Sequence, residues 1–229
     1  MLFAILFNDG LAPEQAVLIF LISIFVFMFS LSVHEFFHAL AAVKMGDDTP
    51  KVMGRLTLNP FKHLDMMGFL SFAIVGIGWA KPVPINPLKF KKYRTGIRWV
   101  SIVGILSNIA LGLLAAGLHA ILLNTVGMSS VAMEYVFLIL QYFMLVNSYL
   151  AMFNLLPVYP FDGFNFISSF MRGDNKFLQF AIRNAFKILL GIIFVSLIFE
   201  VFLGFDLLGW YLSVLYNYVF SPIMLIGVL

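Results

Sequence analysis

Ser32-Val33-His34-Glu35-Phe36-Phe37-His38 sits inside a nearly uncharged apolar run from about residue 15 to 43, and the reading of that run decides the fold. At 1.5 Å rise per residue, a helix over about 14–44 spans roughly 45 Å, longer than the hydrocarbon core of a bilayer. On such a helix His34 and His38 lie one turn apart on the same face. That spacing lets both imidazoles reach one zinc ion, with Glu35 beside it to take a proton from a bound water. The ordinary alternative is two histidines and a carboxylate making polar contacts between helices. Inside a membrane span each of these ionisable groups carries a desolvation cost on the order of a few kcal/mol. A shared metal compensates all three together, which favours the metal reading.

Composition points the same way. Of 229 residues, 62% are hydrophobic and only 11% are charged, with 27 phenylalanines, which excludes a soluble globular domain. The expectation is an all-α polytopic membrane protein with about five transmembrane helices and a re-entrant, partly strand-like membrane loop over about 66–87. There is no basic start followed by a short apolar stretch and a small-residue cleavage site, so no removable signal peptide is expected. The chain has no cysteine, which leaves His, Asp and Glu to hold a metal.

All fourteen Lys and Arg fall in two blocks, ten from Lys44 to Arg98 and four from Arg172 to Lys187. The positive-inside rule places both blocks in the cytoplasm. Residues 1–43 contain no basic residue, so the N-terminus, with Asp9 and Glu14, is external, as are the connections around 124–130 and 200–209. The chain reads as a multi-pass protein of a cell membrane, plasma or inner. The histidine pair lies within the bilayer on its cytoplasmic half, about 15 Å of helix rise before Lys44. No soluble domain or repeat is visible, so residues 1–229 form a single membrane domain.

Along the chain, Asn8-Asp9-Gly10 signals a turn and Pro13 suits the first turn of the first helix. Residues 45–65 are a polar cytoplasmic segment in which His63 reads as a solvated loop histidine. The apolar run Met66 to Ala80 is too short to cross and has basic residues on both sides, so it enters and returns. Gly68, Gly76 and Gly78, with Pro82, Pro84 and Pro87 after them, argue against a continuous helix, and irregular backbone at that depth implies a cavity. The alternative is a short core helix with a proline-rich loop. The basic run Lys89 to Arg98 suits anionic headgroups rather than nucleic acid. A second span covers about 99–123, with Gly104, Ser107, Asn108, Gly112 and Gly117 suited to close helix packing, and with His119 as a packed or interfacial histidine. A third covers about 130–156. Residues 172–187 read as an amphipathic surface segment, and 184–203 and 207–229 as two final spans.

The third span ends in Asn154-Leu155-Leu156-Pro157-Val158-Tyr159-Pro160-Phe161-Asp162-Gly163, where prolines and a glycine turn the chain at the depth expected for His34. Asp162 either caps a short helix over Phe164 to Met171 or supplies a third metal ligand. In the second case two imidazoles and one carboxylate leave one position of a tetrahedral zinc open, which is a hydrolytic arrangement.

These residues resemble the site-2 protease family, intramembrane zinc metallopeptidases. His34-Glu35-Phe36-Phe37-His38 matches the family's H-E-x-x-H, and Asn154 to Gly163 matches its N-x-x-P-x-x-x-x-D-G. Gly54-Arg55-Leu56-Thr57-Leu58-Asn59-Pro60 and Gly78-Trp79-Ala80-Lys81-Pro82-Val83-Pro84 are similar to segments of its compact prokaryotic members. The likeness covers about 14–171, with the C-terminal helices at about 184–229 beyond it. Gly104-Ile105-Leu106-Ser107-Asn108 departs from the usual G-P-x-x-N at Ile105, and Tyr159 stands where many members have proline. No PDZ-like or nucleotide-binding domain is visible.

The resemblance implies one zinc at His34, His38 and Asp162, with Glu35 as catalytic base and Asn154 as a polar group near the substrate or the oxyanion. It implies an endopeptidase that cleaves transmembrane segments of other proteins, with those substrates and the lipid bilayer as partners. It also implies that the loop around Gly76 to Pro84 could pair with an unwound substrate by edge addition. Two rival classes are a membrane metal carrier, which has no special use for Glu35, and a silent family member that binds membrane helices.

Overall fold

The computed structural model describes residues 12–171 and 175–226. The expected turn at Asn8-Asp9-Gly10 and the start of the surface segment at Arg172 lie outside them. The chain is an all-α polytopic membrane protein built on α1 (Pro13–Met45), α2 (Met66–Val75), α3 (Tyr93–Thr125), α4 (Val131–Leu155), α5 (Asp162–Ser168), α6 (Lys176–Arg183) and α7 (Ala185–Leu203), joined by shorter turns. Four of these, α1, α3, α4 and α7, are long and apolar enough to cross a membrane. Pro13 opens α1, where a missing N–H leaves no bond unmade, and Gly46 closes it in the left-handed region.

α1, α3 and α4 pack on one another as the core, and α5 sits against α3 and α4. His119 is buried at the α3–α4 contact with its ring 4.7 Å from that of Phe137, a packed histidine as read. α7 packs chiefly on α6 and on the short helix Leu207–Leu212.

Three expectations need correction. The fifth span over 207–229 is not a continuous helix: it breaks into Leu207–Leu212, a π turn at Tyr216–Phe220 and one turn at Ser221–Met224, with 227–229 outside the described residues. The break is stabilised from α4, where the Ser148 hydroxyl donates to Leu212 O (2.9 Å) and accepts the Tyr216 N–H (3.0 Å). A side chain inserted between two turns satisfies backbone groups that the helix would otherwise pair itself.

The loop over 66–87 is half helix. Asp65 caps α2 by accepting the Gly68 N–H, and Gly76 ends it. The return is extended but forms no strand: a single antiparallel bridge joins Leu64 to Ala80, and the Lys81 N–H donates to His63 O (2.9 Å). Prolines 82, 84 and 87 remove the donors a ladder needs. Entry and exit therefore meet, as expected of an excursion that returns. The third correction is His63, which is buried rather than solvated and shares a hydrogen bond with Thr57 O (2.8 Å).

Asp47, at the end of α1, anchors the far end of this loop. It is fully buried and accepts the Thr49 N–H (3.0 Å) and the Asn86 N–H (2.6 Å). Burial pushes its carboxyl up, but the hydrogen bonds outweigh this and hold it below the ordinary carboxylate value. A folded-state pKa below the unfolded one stabilises above the ordinary value of about 3.9 and is lost as pH falls through the folded value. Asp47→Asn is expected to lower the unfolding temperature in detergent by about 2–4 °C at neutral pH. Thermal scans against pH should show that difference closing in acid; a constant difference would mean that the Asp47 charge is not what holds the loop.

Candidate metal centre

The turn Val33 to His38 of α1 places His34, Glu35 and His38 in the protein interior. Asp162 reaches them from α5. Its side chain makes no cap bond, since Phe161 occupies the cap position and the helix begins at Asp162 itself. Of the two roles open to Asp162, the structure thus leaves the one that faces the histidines: Oδ2 lies 3.3 Å from His34 Nε2 and 3.1 Å from His38 Nε2. The next residue, Gly163, is required by close approach, because a Cβ there would strike the Leu155 carbonyl. That contact folds α5 back under the end of α4 and so delivers Asp162.

The donor set fits a metal ion. His34 Nε2 and His38 Nε2 are 2.9 Å apart, and the ligand atoms of His34, His38 and Asp162 lie within 4.8 Å of one another. A tetrahedral zinc with bonds of about 2.0–2.1 Å sets its ligand atoms about 3.3 Å apart. His38 Nδ1 faces the Val100 carbonyl (2.7 Å), which can only accept, so that nitrogen carries a proton and, in the neutral ring, Nε2 presents a lone pair. Asp162 Oδ2 is buried and faces no polar partner besides these two histidines. Lone pairs and a carboxylate converging at these distances repel unless a cation sits among them.

Glu35 is not one of the three converging groups. Its Oε2 accepts the Val83 N–H at 3.0 Å, which ties it to the extended return of the 66–87 loop. That return is held in place by Arg55, whose Nη2 donates to the carbonyls of Lys81 and Pro82. Metal-binding face, candidate base and loop therefore form one construction. All of them border a cavity of about 1060 Å³ whose walls include Trp79, Phe153, Asn154, Tyr159 and Phe161. Asn154 lines this cavity from the last turn of α4 and donates to Leu150 O (2.9 Å); no polar contact joins it to His34, Glu35, His38 or Asp162.

The sequence brought out the histidines, Glu35, Asp162 and Asn154 but gave no role at the site to Val83, Arg55 or Asn147, and marked Gly104 for helix packing alone. Gly104 on α3 lies against the two histidines: a Cβ there would stand 2.5 Å from His38 Nε2 and 2.6 Å from His34 Cε1. Position 104 carried a signal as a small residue on a packing face; the others depend on contacts between distant segments.

A buried pair of histidines and a carboxylate, a glutamate beside them, and membrane-crossing helices around them form a candidate metal centre inside a polytopic membrane protein. Two known proteins are similar to this chain over part of its length. The chain is 43% identical over 141 residues, 60% of its length, to the candidate zinc metalloprotease YwhC of Bacillus subtilis (strain 168). It is 33% identical over 118 residues, 48% of its length, to the candidate zinc metalloprotease Rip2 of Mycolicibacterium smegmatis. The matches cover 64% and 44% of those proteins, so the chain spans less than two thirds of the curated relatives it matches. No family model matches the chain, and no solved structure matches it significantly.

Proposed function

We propose that this chain is an intramembrane zinc endopeptidase of the site-2 type that hydrolyses peptide bonds in transmembrane segments near the cytoplasmic side of a cell membrane. The observation that carries the reading is the convergence of His34, His38 and Asp162 beside Glu35 on the wall of a large cavity among membrane-crossing helices. His34, His38 and Asp162 would hold the zinc. Bound there, zinc supplies Lewis acidity to a scissile carbonyl and acidifies a water. Glu35 takes the water's proton and returns it to the leaving amine. Asn154 presents an amide to the substrate within the cavity.

A helical peptide bond is shielded by its own hydrogen bonds, so a substrate must be extended before it can be attacked. The non-helical backbone around Gly76 to Pro84, ahead of its prolines, supplies a stretch along which such a segment can lie, and Val83 connects it to Glu35. The test is cleavage of a single-helix reporter by purified protein in liposomes, with and without a zinc chelator. Cleavage should stop on chelation, return on adding zinc, and map by mass spectrometry to a bond within the apolar segment. Cleavage that survives chelation, or products cut only outside that segment, would overturn the reading.

A further inference from the structure

Two fully buried asparagines lie between the membrane-crossing helices behind His34, Asn108 on α3 and Asn147 on α4. Asn147 Nδ2 donates to Phe143 O (2.8 Å) and to Ser30 Oγ on α1 (2.9 Å). Asn108 Nδ2 donates to Asn147 Oδ1 (2.8 Å), and Asn108 Oδ1 faces His34 Nδ1 at 2.6 Å. The direction of the whole chain follows from its far end. The Phe143 carbonyl can only accept, so the Asn147 nitrogen must point to it and the Asn147 oxygen to Asn108. The Asn108 oxygen is then left for His34, whose Nδ1 must carry the proton.

We propose that Asn108, held by Asn147, is a positioning residue that fixes the tautomer and ring orientation of His34, leaving Nε2 as the lone pair aimed at the metal. The assignment rests on the metal-site reading above. His38 obtains the same service from a backbone carbonyl, Val100 O, so Asn108 is the side chain through which this control can be altered. The other use of such a pair, gluing helices together, would hold the bundle equally with or without metal. Partners of this kind around a metal-ligating histidine typically change metal affinity by about 10–100-fold when removed.

The test is zinc affinity by chelator competition for wild type, Asn108→Leu, Asn147→Leu and Asn108→Asp, together with thermal unfolding of the zinc-free and zinc-loaded forms. Asn108→Leu should weaken zinc by about 10–100-fold and shrink the rise in unfolding temperature that zinc produces. Asn147→Leu should do so less, and Asn108→Asp, which keeps an acceptor at Nδ1, should recover most of the affinity. Nitrogen NMR of histidine-labelled wild-type protein, zinc-free and at alkaline pH, should place the His34 proton on Nδ1. Wild-type zinc affinity in Asn108→Leu, or the proton on Nε2, would overturn the proposal. If Asn108→Leu fails to fold, the NMR assignment still decides it. A wild-type protein that takes up no zinc would overturn the site reading, and the tautomer would still test Asn108 separately.

Discussion

Glu35→Gln is expected to reduce cleavage of a membrane-helix reporter by about 10²–10⁴-fold, the range a general base contributes, while zinc content stays near wild type. The argument rests on what the substitution preserves. Gln is close in shape to Glu, and its amide oxygen can still accept the Val83 N–H that Glu35 Oε2 accepts at 3.0 Å. The loop, the cavity and the three converging groups are therefore left in place, and only the ability to take up a proton is lost. Single-turnover cleavage together with metal analysis of the same preparation checks both halves. A metal carrier or a silent helix-binding protein would be indifferent to this change. Unchanged cleavage with zinc bound would move the base to another residue; zinc lost together with activity would mean that Glu35 helps to hold the ligands.

What the sequence made legible was set by how local the information is. The helix run of α1 and the His34–His38 spacing are properties of one continuous segment, so periodicity and hydropathy sufficed. Asp162, distant in sequence, was legible because an acidic residue among prolines and apolar residues at membrane depth has few uses. Its choice between capping α5 and facing the histidines needed coordinates, since it turned on where the helix began. The broken 207–224 run was not legible. Its composition is that of a span, and the backbone groups freed at the break are satisfied by a serine on another helix. The same holds for His63, whose polar surroundings in sequence suggest solvent but whose partner is the Thr57 carbonyl within a closed loop.

The construction around Glu35 shows why residues without chemistry of their own still matter. Val83 contributes only an N–H, yet that donor reaches Glu35 because Arg55 holds the two carbonyls before it and Asp47 holds the Asn86 N–H after it. Prolines on both sides of Val83 leave its N–H unpaired with neighbouring backbone and free to serve the carboxylate. A proline-rich excursion that pairs poorly with itself is thus suited to present one donor inward to Glu35.

Gly104→Ala is expected to weaken zinc binding by about 10–100-fold, although alanine is the better helix former by about 1 kcal/mol. The two effects have opposite signs and different places of action. Propensity acts on α3 alone. The added methyl, however, would stand 2.5 Å from His38 Nε2 and 2.6 Å from His34 Cε1, inside any van der Waals contact. Overpacking of this kind costs about 1–3 kcal/mol. The atoms that must yield are the ligand rings, whose Nδ1 atoms are tied to Val100 O and Asn108 Oδ1, so the strain falls on the metal geometry. At 1.4 kcal/mol per factor of ten, that cost corresponds to the expected loss of affinity. The same helix contains its own control: a Cβ at Gly117 would meet nothing within 4 Å. Gly117→Ala should leave zinc affinity unchanged and raise the unfolding temperature slightly. Chelator competition on the two variants separates the effects, and equal zinc affinity in both would mean that α3 does not press on the histidines.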